Sequence, residues 1–510
     1  MPAQETLTVI SPIDSSKFLE IPFATTAEID AVLQRSVAAF QSWRKVPIAE
    51  RVAIARRFTV TFGAKEGQIV DSIVKQMGRP VRYAAGEITG TVNRAHYMAS
   101  IAEESLRDLV IGENSHMSRM FIRREPLGPI FIIATWNYPY LTMVNGVVPA
   151  LLAGNTVVLK HSPQTPLCAE IFATAFREAG LPDDVLQVVH VTDEGSEYIV
   201  KHPSIAFVNF TGSVAIGKKI HAAASCKLIG EPESEVAGVL LKYNTGMELG
   251  GKDPAYVLFD CDLNYTVKQL VDGAFFNSGQ CCCAIERIYV HEAVYDEFVN
   301  KFVDATKGYV LGDPTDKATT IGPMSHYRFA ETVRKHLRDA REYCLTLEAI
   351  ASYKKSPAYS FESFMQKGAK ALIDTSMFPA DKGNTTYVAP QVLVDVNHTM
   401  LVMTEETFGP IVGIMRVSSD DEAVHLMNDS RYGLTASIWT SDLERAIAIG
   451  DRIETGTCFM NRCDYLDPAL PWVGAKESGK GVSLSRLAFE QLTRPKSFNL
   501  NIETPAVMLE

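Results

Sequence analysis

Ile130-Phe131-Ile132-Ile133 is a short apolar run of the kind that forms a buried strand. The residues from Val144 to Ala153 then predict a helix, and Thr156-Val157-Val158-Leu159-Lys160 predicts a second strand. Another helix is predicted from about Thr165 to Ala179. Strand–helix–strand alternation indicates a parallel, doubly wound α/β sheet, which binds ligands beyond the carboxyl ends of its strands.

The alternation extends along the chain from this unit. Phe210-Thr211-Gly212-Ser213 follows a predicted strand and leads into a helix over Val214 to Ala224, where free backbone amides suit a phosphate group. A second alternating block runs from near Ala255 to about Ser478. Further strands are predicted at Val185 to Val191, Ile205 to Phe210, Arg287 to Val290 and Ile411 to Val417.

The two ends of the chain differ from this pattern. Helices are predicted over the first hundred residues, the first of them starting at the capping box formed by Thr25 and Glu28. The tail from Gln491 to Asn501 is polar and strand-like. It is therefore predicted to be an arm that pairs with another subunit.

Composition limits what the chain can do. At 510 residues it is too long for one simple core, so two or more domains are expected. A net charge of −11 argues against nucleic acid as a partner. Neither a signal peptide nor a bilayer-spanning run is visible, because the apolar region Ile130 to Leu159 is broken by proline and asparagine. The nine cysteines form no disulfide framework or zinc-site pair, so a cytosolic protein is expected.

Three of these cysteines are adjacent, in the stretch Asn277-Ser278-Gly279-Gln280-Cys281-Cys282-Cys283-Ala284. A thiol acts as a nucleophile only as its thiolate, so its surroundings decide whether it reacts. Most free cysteines are instead small apolar residues that fill a core. The stretch alone leaves both interpretations open.

Six motifs occur in the order found in one family. They are Trp136-Asn137-Tyr138-Pro139, Ala153-Gly154-Asn155-Thr156-Val157-Val158-Leu159-Lys160, Phe210-Thr211-Gly212-Ser213, Glu248-Leu249-Gly250-Gly251-Lys252, Gly279-Gln280-Cys281-Cys282 and Glu406-Thr407-Phe408-Gly409-Pro410. Over nearly its whole length the chain resembles the NAD(P)-dependent aldehyde dehydrogenase superfamily. The resemblance implies two doubly wound Rossmann-like domains: a cofactor-binding domain (1–107 and 127–248) and a catalytic domain (249–478). It also implies an oligomerisation arm (108–126 and 486–505) and a homodimer or homotetramer.

The resemblance assigns the chemistry to three residues. Cys282 is the implied nucleophile, which attacks the aldehyde carbon to give a thiohemiacetal. The Asn137 side-chain amide and the Cys282 backbone amide would stabilise the negative oxygen that forms. Glu248 would activate the water that hydrolyses the resulting thioester. Cys281 and Cys283 fall where the family varies, so packing is expected of them, and no metal is expected.

The resemblance further implies NAD as the cofactor, with NADP possible. The residues implied to bind it are Trp136, Lys160, Gly212, Ser213, Glu406 and Phe408. Lys160 and Glu406 would hydrogen-bond the two riboses. NAD-preferring relatives commonly carry glutamate three residues after this lysine, and the present chain has Pro163 there. The choice between NAD and NADP therefore stays open.

The aldehyde pocket is less clearly marked. The resemblance places Tyr138, Tyr140 and Trp472 near its entrance. Arg462 would bind the carboxylate of a semialdehyde, because guanidinium suits bidentate recognition. The alternative is that Arg462 pairs with Asp464 or with solvent.

Two segments make the chain longer than the family usually is. One insert, of roughly a dozen residues, lies within about 226–243, and another, of roughly 25 residues, lies within 341–367. Both are predicted to be surface loops or retained non-coding sequence. Two alternatives to a general aldehyde dehydrogenase follow: a succinic-semialdehyde-like dehydrogenase, and a family member disabled by the insert before Glu248.

Overall fold

Two open sheets of mainly parallel strands organise the chain, and helices cover their faces. The computed structural model describes residues 5–111, 118–225, 245–342 and 368–501. The α/β class expected from the alternation is confirmed. Within these residues no helix is long and apolar enough to span a bilayer.

The first sheet has six strands. Only Gly479–Lys480, the last of them in sequence order, is antiparallel to its neighbour. In spatial order they are Gly479–Lys480, Thr245–Glu248, Phe207–Thr211, Pro129–Ile133, Thr156–Lys160 and Leu186–Val188. The central strands Pro129–Ile133 and Thr156–Lys160 are buried at every residue. That burial explains why they appear as continuous apolar runs.

The second sheet has seven strands, of which only the first is antiparallel. In spatial order they are Lys370–Ala371, Gln391–Val394, Ile411–Val417, Ile285–His291, Asp253–Val257, Thr435–Trp439 and Thr457–Met460. Separate apolar clusters lie on the two faces of this sheet. A sheet covered on both faces is the doubly wound arrangement.

Helices connect and cover these strands. Around the first sheet they are Thr26–Trp43, Ile48–Gly63, Glu66–Met77, Val81–Ala84, Gly86–Leu106, Pro139–Ala153, Pro166–Glu178, Asp193–Lys201 and Val214–Ser225. Those that follow in the chain are Leu263–Phe275, Tyr295–Lys307, Tyr327–Arg341, Leu401–Thr404, Asp420–Asn428, Leu443–Gly450 and Leu487–Gln491. Two short 3₁₀ turns are Phe276–Gly279 and Thr375–Met377.

Local sequence signals explain several helix starts. The Thr25 hydroxyl accepts from the Glu28 amide and the Glu28 carboxylate accepts from the Thr25 amide, as the capping box predicts. One start differs from expectation, because the helix expected from Val144 begins at Pro139. Proline is well suited to a first helical turn, where its missing N–H has no partner to lose.

The tail forms the predicted strand. Thr493–Asn501 pairs antiparallel with Ser118–Pro126, which also pairs with Leu109–Val110. Just before it, the helix Leu487–Gln491 places Ala488 and Phe489 in the apolar cluster of the first domain. The domain limits and the subunit-pairing role of the arm stay predictions.

The inserts predicted within 226–243 and 341–367 lie outside the described residues, except for Arg341 and Glu342. The described ends on either side of each one are close together. The imidazole Nδ1 of His221 is 3.0 Å from the hydroxyl of Thr245. The Ala369 amide donates to the Ala340 carbonyl at 2.7 Å.

Candidate active site

A cavity of about 670 Å³ lies where the carboxyl ends of the first sheet face the cysteine segment. Except for Tyr140 and Arg462, the site residues named from the sequence line it: Asn137, Glu248, Cys282, Trp136, Lys160, Gly212, Ser213, Glu406, Phe408, Tyr138 and Trp472. Residues that are far apart in the chain therefore meet at one site. Their individual roles stay predictions.

The cysteine segment enters this cavity through a tight turn. Asn277, Ser278 and Gly279 adopt left-handed backbone conformations in succession, with φ of 54°, 60° and 70°. A Cβ on Gly279 would lie 2.3 Å from the Gly409 carbonyl oxygen, so only glycine fits there. Gly251 is similarly restricted, because its Cβ would lie 2.2 Å from the Cys282 carbonyl oxygen. Close backbone packing thus fixes the cysteine segment on both sides.

The turn brings the three thiols together. All three sulfur atoms lie within 4.8 Å of one another, and those of Cys281 and Cys283 are 3.4 Å apart. Cys281 and Cys283 are buried, with 8% and 2% exposure, whereas Cys282 is partly exposed. Hydrogen bonds from the Cys282 and Cys283 thiols lower the pKa of Cys281, and the same contacts raise the pKa of the other two. The cluster therefore favours ionisation of a single thiol, which the other two stabilise by hydrogen bonds.

A buried arginine ties the cysteine segment to the Asn137 segment. Arg79 donates to the Asn277 side chain at 3.0 Å, to the Glu87 carboxylate at 2.6 Å and to the Asn137 carbonyl at 2.5 Å. Glu87 in turn accepts from the Tyr140 amide at 2.9 Å. Arg79 and Glu87 are each 2% exposed, so this pair is desolvated and fully hydrogen-bonded.

The Asn137 side chain faces the same segment. Its amide nitrogen donates to the Gln280 carbonyl at 3.2 Å, which uses one of two N–H groups. Its buried amide oxygen has no hydrogen-bond partner among the described residues. An amide held in this way keeps a donor for a negative oxygen formed beside the thiols.

Glu248 ends the sheet strand that follows the first insert, and it is held on both sides. Thr211 pairs with it in parallel and Gly479 pairs with it antiparallel. Its carboxylate accepts a hydrogen bond from the Ser483 hydroxyl. Burial raises the pKa of Glu248, while the Ser483 contact and the charge of Arg94 act to lower it. The strand that carries Glu248 therefore reaches the cavity.

Two strand ends build one side of the cavity. Lys160 ends the strand Thr156–Lys160, where burial lowers the pKa of its ammonium group. Gly212 and Ser213 lie between the strand Phe207–Thr211 and the helix Val214–Ser225, as predicted. The Gly212 amide donates to the Glu248 carbonyl at 3.0 Å, so this amide is already paired within the protein.

The opposite side is formed by the turn that carries Glu406 and Phe408. Burial raises the pKa of Glu406 to about 8, and the Gly251 amide donates to its carboxylate at 2.9 Å. The Phe408 ring meets Trp136 edge-on, with ring centres 5.6 Å apart. Behind the turn, Glu286 accepts from the Phe408 amide at 2.9 Å and pairs with buried Lys252. A strand-end lysine, a helix N-terminus and an opposed carboxylate together fit a dinucleotide.

The aldehyde end of the cavity differs from expectation. Arg462 does not line it, because the guanidinium carbon lies 3.2 Å from the centre of the Tyr465 ring and the arginine is held there. Tyr140 also lies elsewhere, in the core, where its hydroxyl is 2.9 Å from that of Ser72. Arg94, from the helix Gly86–Leu106, does line the cavity, and its charge acts on Glu248.

Sequence reasoning missed Arg79, Arg94 and Ser483. Ser483 is 235 residues from Glu248 in the chain, and it is positioned by the backbone pairing of Trp472 with Ser483 at 2.8 and 2.9 Å. None of the three stands in a recognisable motif. The one available sequence signal was for Arg79, a charged residue within an otherwise apolar junction between two helices.

Known proteins resemble the chain along its whole length. The aldehyde dehydrogenase family model matches residues 1–362 and 351–498. The succinate-semialdehyde dehydrogenase [NADP(+)] of Deinococcus radiodurans is 31% identical over 96% of this chain and 93% of its own. The succinate semialdehyde dehydrogenase [NAD(P)+] of Escherichia coli is 31% identical over 94% of this chain and 95% of its own.

A solved structure agrees with the fold. The NADP-dependent glyceraldehyde-3-phosphate dehydrogenase from Bacillus halodurans, complexed with NADP, superposes with a TM-score of 0.84. It is 30% identical and covers 98% of this chain and 96% of its own. The chain therefore belongs to the aldehyde dehydrogenase family and is an NAD(P)-dependent oxidoreductase that acts on aldehydes.

Proposed function

We propose that Cys282 is the nucleophile of this aldehyde dehydrogenase, with Asn137 and Glu248 as its catalytic partners. The observation that carries the proposal is that all three line one cavity. Cys282 is chosen over its neighbours because it is the partly exposed thiol, and an aldehyde must reach the sulfur that attacks it. Its thiolate adds to the carbonyl carbon, and the Asn137 N–H donates to the oxygen that becomes negative.

Bound NAD(P)⁺ supplies the acceptor for the hydride that leaves this tetrahedral carbon, and a thioester on Cys282 remains. Glu248 then takes a proton from water, whose oxygen attacks the thioester carbon and releases the carboxylic acid and the thiol. Burial raises the pKa of Glu248 toward the range in which a carboxylate is an effective base. Purified protein with NAD⁺, NADP⁺ and a panel of short aldehydes tests the activity through absorbance of the reduced cofactor. No turnover with any combination of cofactor and aldehyde would contradict the proposed activity.

Either cofactor is compatible with this cavity. Pro163 and Lys160 both line it, and proline places no carboxylate near the adenosine 2′ position. NAD remains the expected cofactor, and the absence of this carboxylate supports use of NADP as well. Pro163→Glu should lower kcat/KM for NADP⁺ by at least about fivefold while sparing NAD⁺, because one like-charge contact costs upwards of about 1 kcal/mol. An equal loss with both cofactors would contradict this.

A second candidate function is oxidation of an aldehyde that carries a carboxylate, and Arg94 favours it. Arg94 donates to the Leu141 carbonyl at 3.2 Å and to the Asn145 side chain at 3.0 Å. Both bonds come from the same nitrogen atom, one of the three in the guanidinium group, and neither partner is charged. Burial lowers the pKa of this guanidinium, which indicates a desolvated cation. Such a cation at the aldehyde end is complementary to an anionic substrate.

Succinic semialdehyde and butanal, which share a four-carbon chain, separate the two candidates. Arg94→Met should lower kcat/KM for succinic semialdehyde by about 10- to 100-fold, because a charged hydrogen bond contributes about 1.5–3 kcal/mol. Butanal oxidation should change little. Arg462→Met is the matched control, because Arg462 does not line the cavity. A selective loss in Arg462→Met, or an equal loss for both substrates in Arg94→Met, would overturn the assignment.

We further propose a cytosolic homodimer or homotetramer that associates through the arm. Each of the described cysteines is a free thiol, which suits a reducing compartment. The arm exposes Leu109, Val110 and Leu500 on its two outer strands, and exposed edges of this kind are ready to pair. Light scattering on the purified protein would test this, and a monomer at micromolar concentration would contradict it.

A further inference from the structure

The three-thiol cluster has the geometry of a metal site. We infer that Cys281, Cys282 and Cys283 together bind one soft divalent cation, of the zinc or cadmium type, and that this binding reversibly blocks the dehydrogenase. The expected loss of activity rests on the proposed role of Cys282 as the nucleophile. The binding itself rests on the positions of the three sulfur atoms.

Distances support the site. A tetrahedral zinc ion with bonds of about 2.3 Å to sulfur separates its thiolate ligands by about 3.8 Å. The sulfur atoms of Cys281 and Cys283 are 3.4 Å apart, and no pair in the cluster exceeds 4.8 Å. Shifts of about 1 Å would therefore bring all three to bonding positions, within the reach of side-chain rotation. Among the described histidine, cysteine, aspartate and glutamate residues, this is the group in which three ligand atoms come so close.

Ligand chemistry selects the kind of ion. Thiolates are soft ligands that favour zinc, cadmium and copper(I) over magnesium and calcium, which prefer oxygen. Three protein ligands leave the fourth position to the cavity, where water or chloride completes the coordination. Each thiol loses its proton when it binds, so the step exchanges protons for the cation and involves no oxidation.

The position of the three-thiol cluster predicts how a bound ion would affect activity. All three cysteines line the cavity, and the ion would occupy the sulfur atom of Cys282, the partly exposed thiol among them. A sulfur atom bound to metal cannot add to an aldehyde at the same time. Metal and aldehyde should therefore compete, and a chelator should restore activity. Because the ligands are adjacent and held by the left-handed turn at Asn277–Gly279, little of the chain must be ordered for binding.

Cadmium chloride titrated into reduced, chelator-treated protein tests the site, with two readouts. One is the ultraviolet charge-transfer absorption of cadmium–thiolate bonds, and the other is aldehyde oxidation. We expect one tightly bound cadmium ion per chain, loss of activity in parallel, recovery with EDTA and no effect of magnesium. Cys281→Ser and Cys283→Ser should each weaken cadmium binding at least about tenfold.

The exposed Cys458 provides the matched control, since Cys458→Ser removes a thiol that is far from the cavity. It should bind cadmium as the unchanged protein does. Unaltered affinity in both Cys281→Ser and Cys283→Ser would overturn the inference, because Cys282 alone would then be the ligand. Absence of the charge-transfer band would also overturn it. Cys282→Ser, which lacks the nucleophile, still reports on the site, and we expect weakened binding through the two remaining thiols.

Discussion

The cofactor end and the aldehyde end of the cavity are built in different ways. At the cofactor end, Lys160 and Gly212 lie at the ends of strands that their own apolar runs specify. At the aldehyde end, Arg79, Arg94 and Ser483 come from distant segments and act through hydrogen bonds of their side chains. A strand end is positioned by many backbone hydrogen bonds, whereas a side-chain network depends on each member. The aldehyde end should therefore be far more sensitive to substitution.

The largest effect should come from the partly exposed thiol of the cysteine cluster. Cys282→Ala should lower aldehyde oxidation by at least about 10⁴-fold, as loss of a nucleophile does in other enzymes. Cofactor binding, measured by fluorescence titration, should not change, because the cofactor end does not depend on this thiol. Cys281→Ala and Cys283→Ala should keep most of the activity. Equal losses in all three variants would show that the wrong thiol has been assigned.

Loss of the base should have the next largest effect. Glu248→Gln should slow steady-state turnover by about 10²- to 10⁴-fold, because glutamine cannot take a proton from water. A first burst of reduced cofactor should remain, since thioester formation precedes the water step. Glu477→Gln, at an exposed ion pair with Lys218, is the control.

Glu248 should also make thioester hydrolysis depend on pH. Burial raises the pKa of Glu248 above its ordinary value, and the base works only when ionised. Thioester hydrolysis should therefore rise with pH as the carboxyl group loses its proton, over a range above about pH 4.5. Glu248→Gln should lose this dependence. A profile shared by the variant and the unchanged protein would assign the titration to another group.

A smaller but selective effect is expected from the arginine that joins the two catalytic segments. Arg79→Lys should lower kcat by about tenfold or more, because lysine cannot donate at once to Asn277, Glu87 and Asn137. KM for the cofactor should stay unchanged, which distinguishes positioning from general loss of folding. Arg334→Lys is the matched control: Arg334 is also buried but donates to the carbonyls of Thr385 and Tyr387 outside the cavity. Equal kcat losses in both variants would contradict a positioning role.

The smallest effect should follow removal of the first insert. Deleting 226–243 with a short join should preserve soluble yield and activity, because His221 and Thr245 on its two sides are already in contact. Both quantities can be measured directly against the full chain. Loss of activity that the full chain possesses would show that the insert is required to place Glu248.

Particular residues explain which predictions succeeded from sequence alone. The strand Thr156–Lys160 and the turn at Gly212 have local signatures, so their positions follow from periodicity and turn chemistry. Arg94 has no local signature, because its position depends on the packing of helices that brings it beside Asn145. Arg462 satisfied the sequence argument for a carboxylate partner but is held over Tyr465.

The cysteine cluster lies between these cases. Its reactive member was predicted from resemblance, and packing was expected of Cys281 and Cys283. Both are indeed buried, yet their sulfur atoms also contact each other at 3.4 Å. The cause is the left-handed turn at Asn277 and Ser278: asparagine is enriched at positive φ, but two such non-glycine residues in succession are uncommon. Backbone conformation of this kind is not readable from residue type.

Trapping the covalent intermediate tests the central claim most directly. Glu248→Gln protein mixed with NAD⁺ or NADP⁺ and an aldehyde that the unchanged chain oxidises should retain the acyl group, which mass spectrometry detects on the intact chain and locates by peptide mapping. The account predicts one thioester per chain, on Cys282. An acyl group on Cys281 or Cys283, or none despite a burst of reduced cofactor, would contradict it.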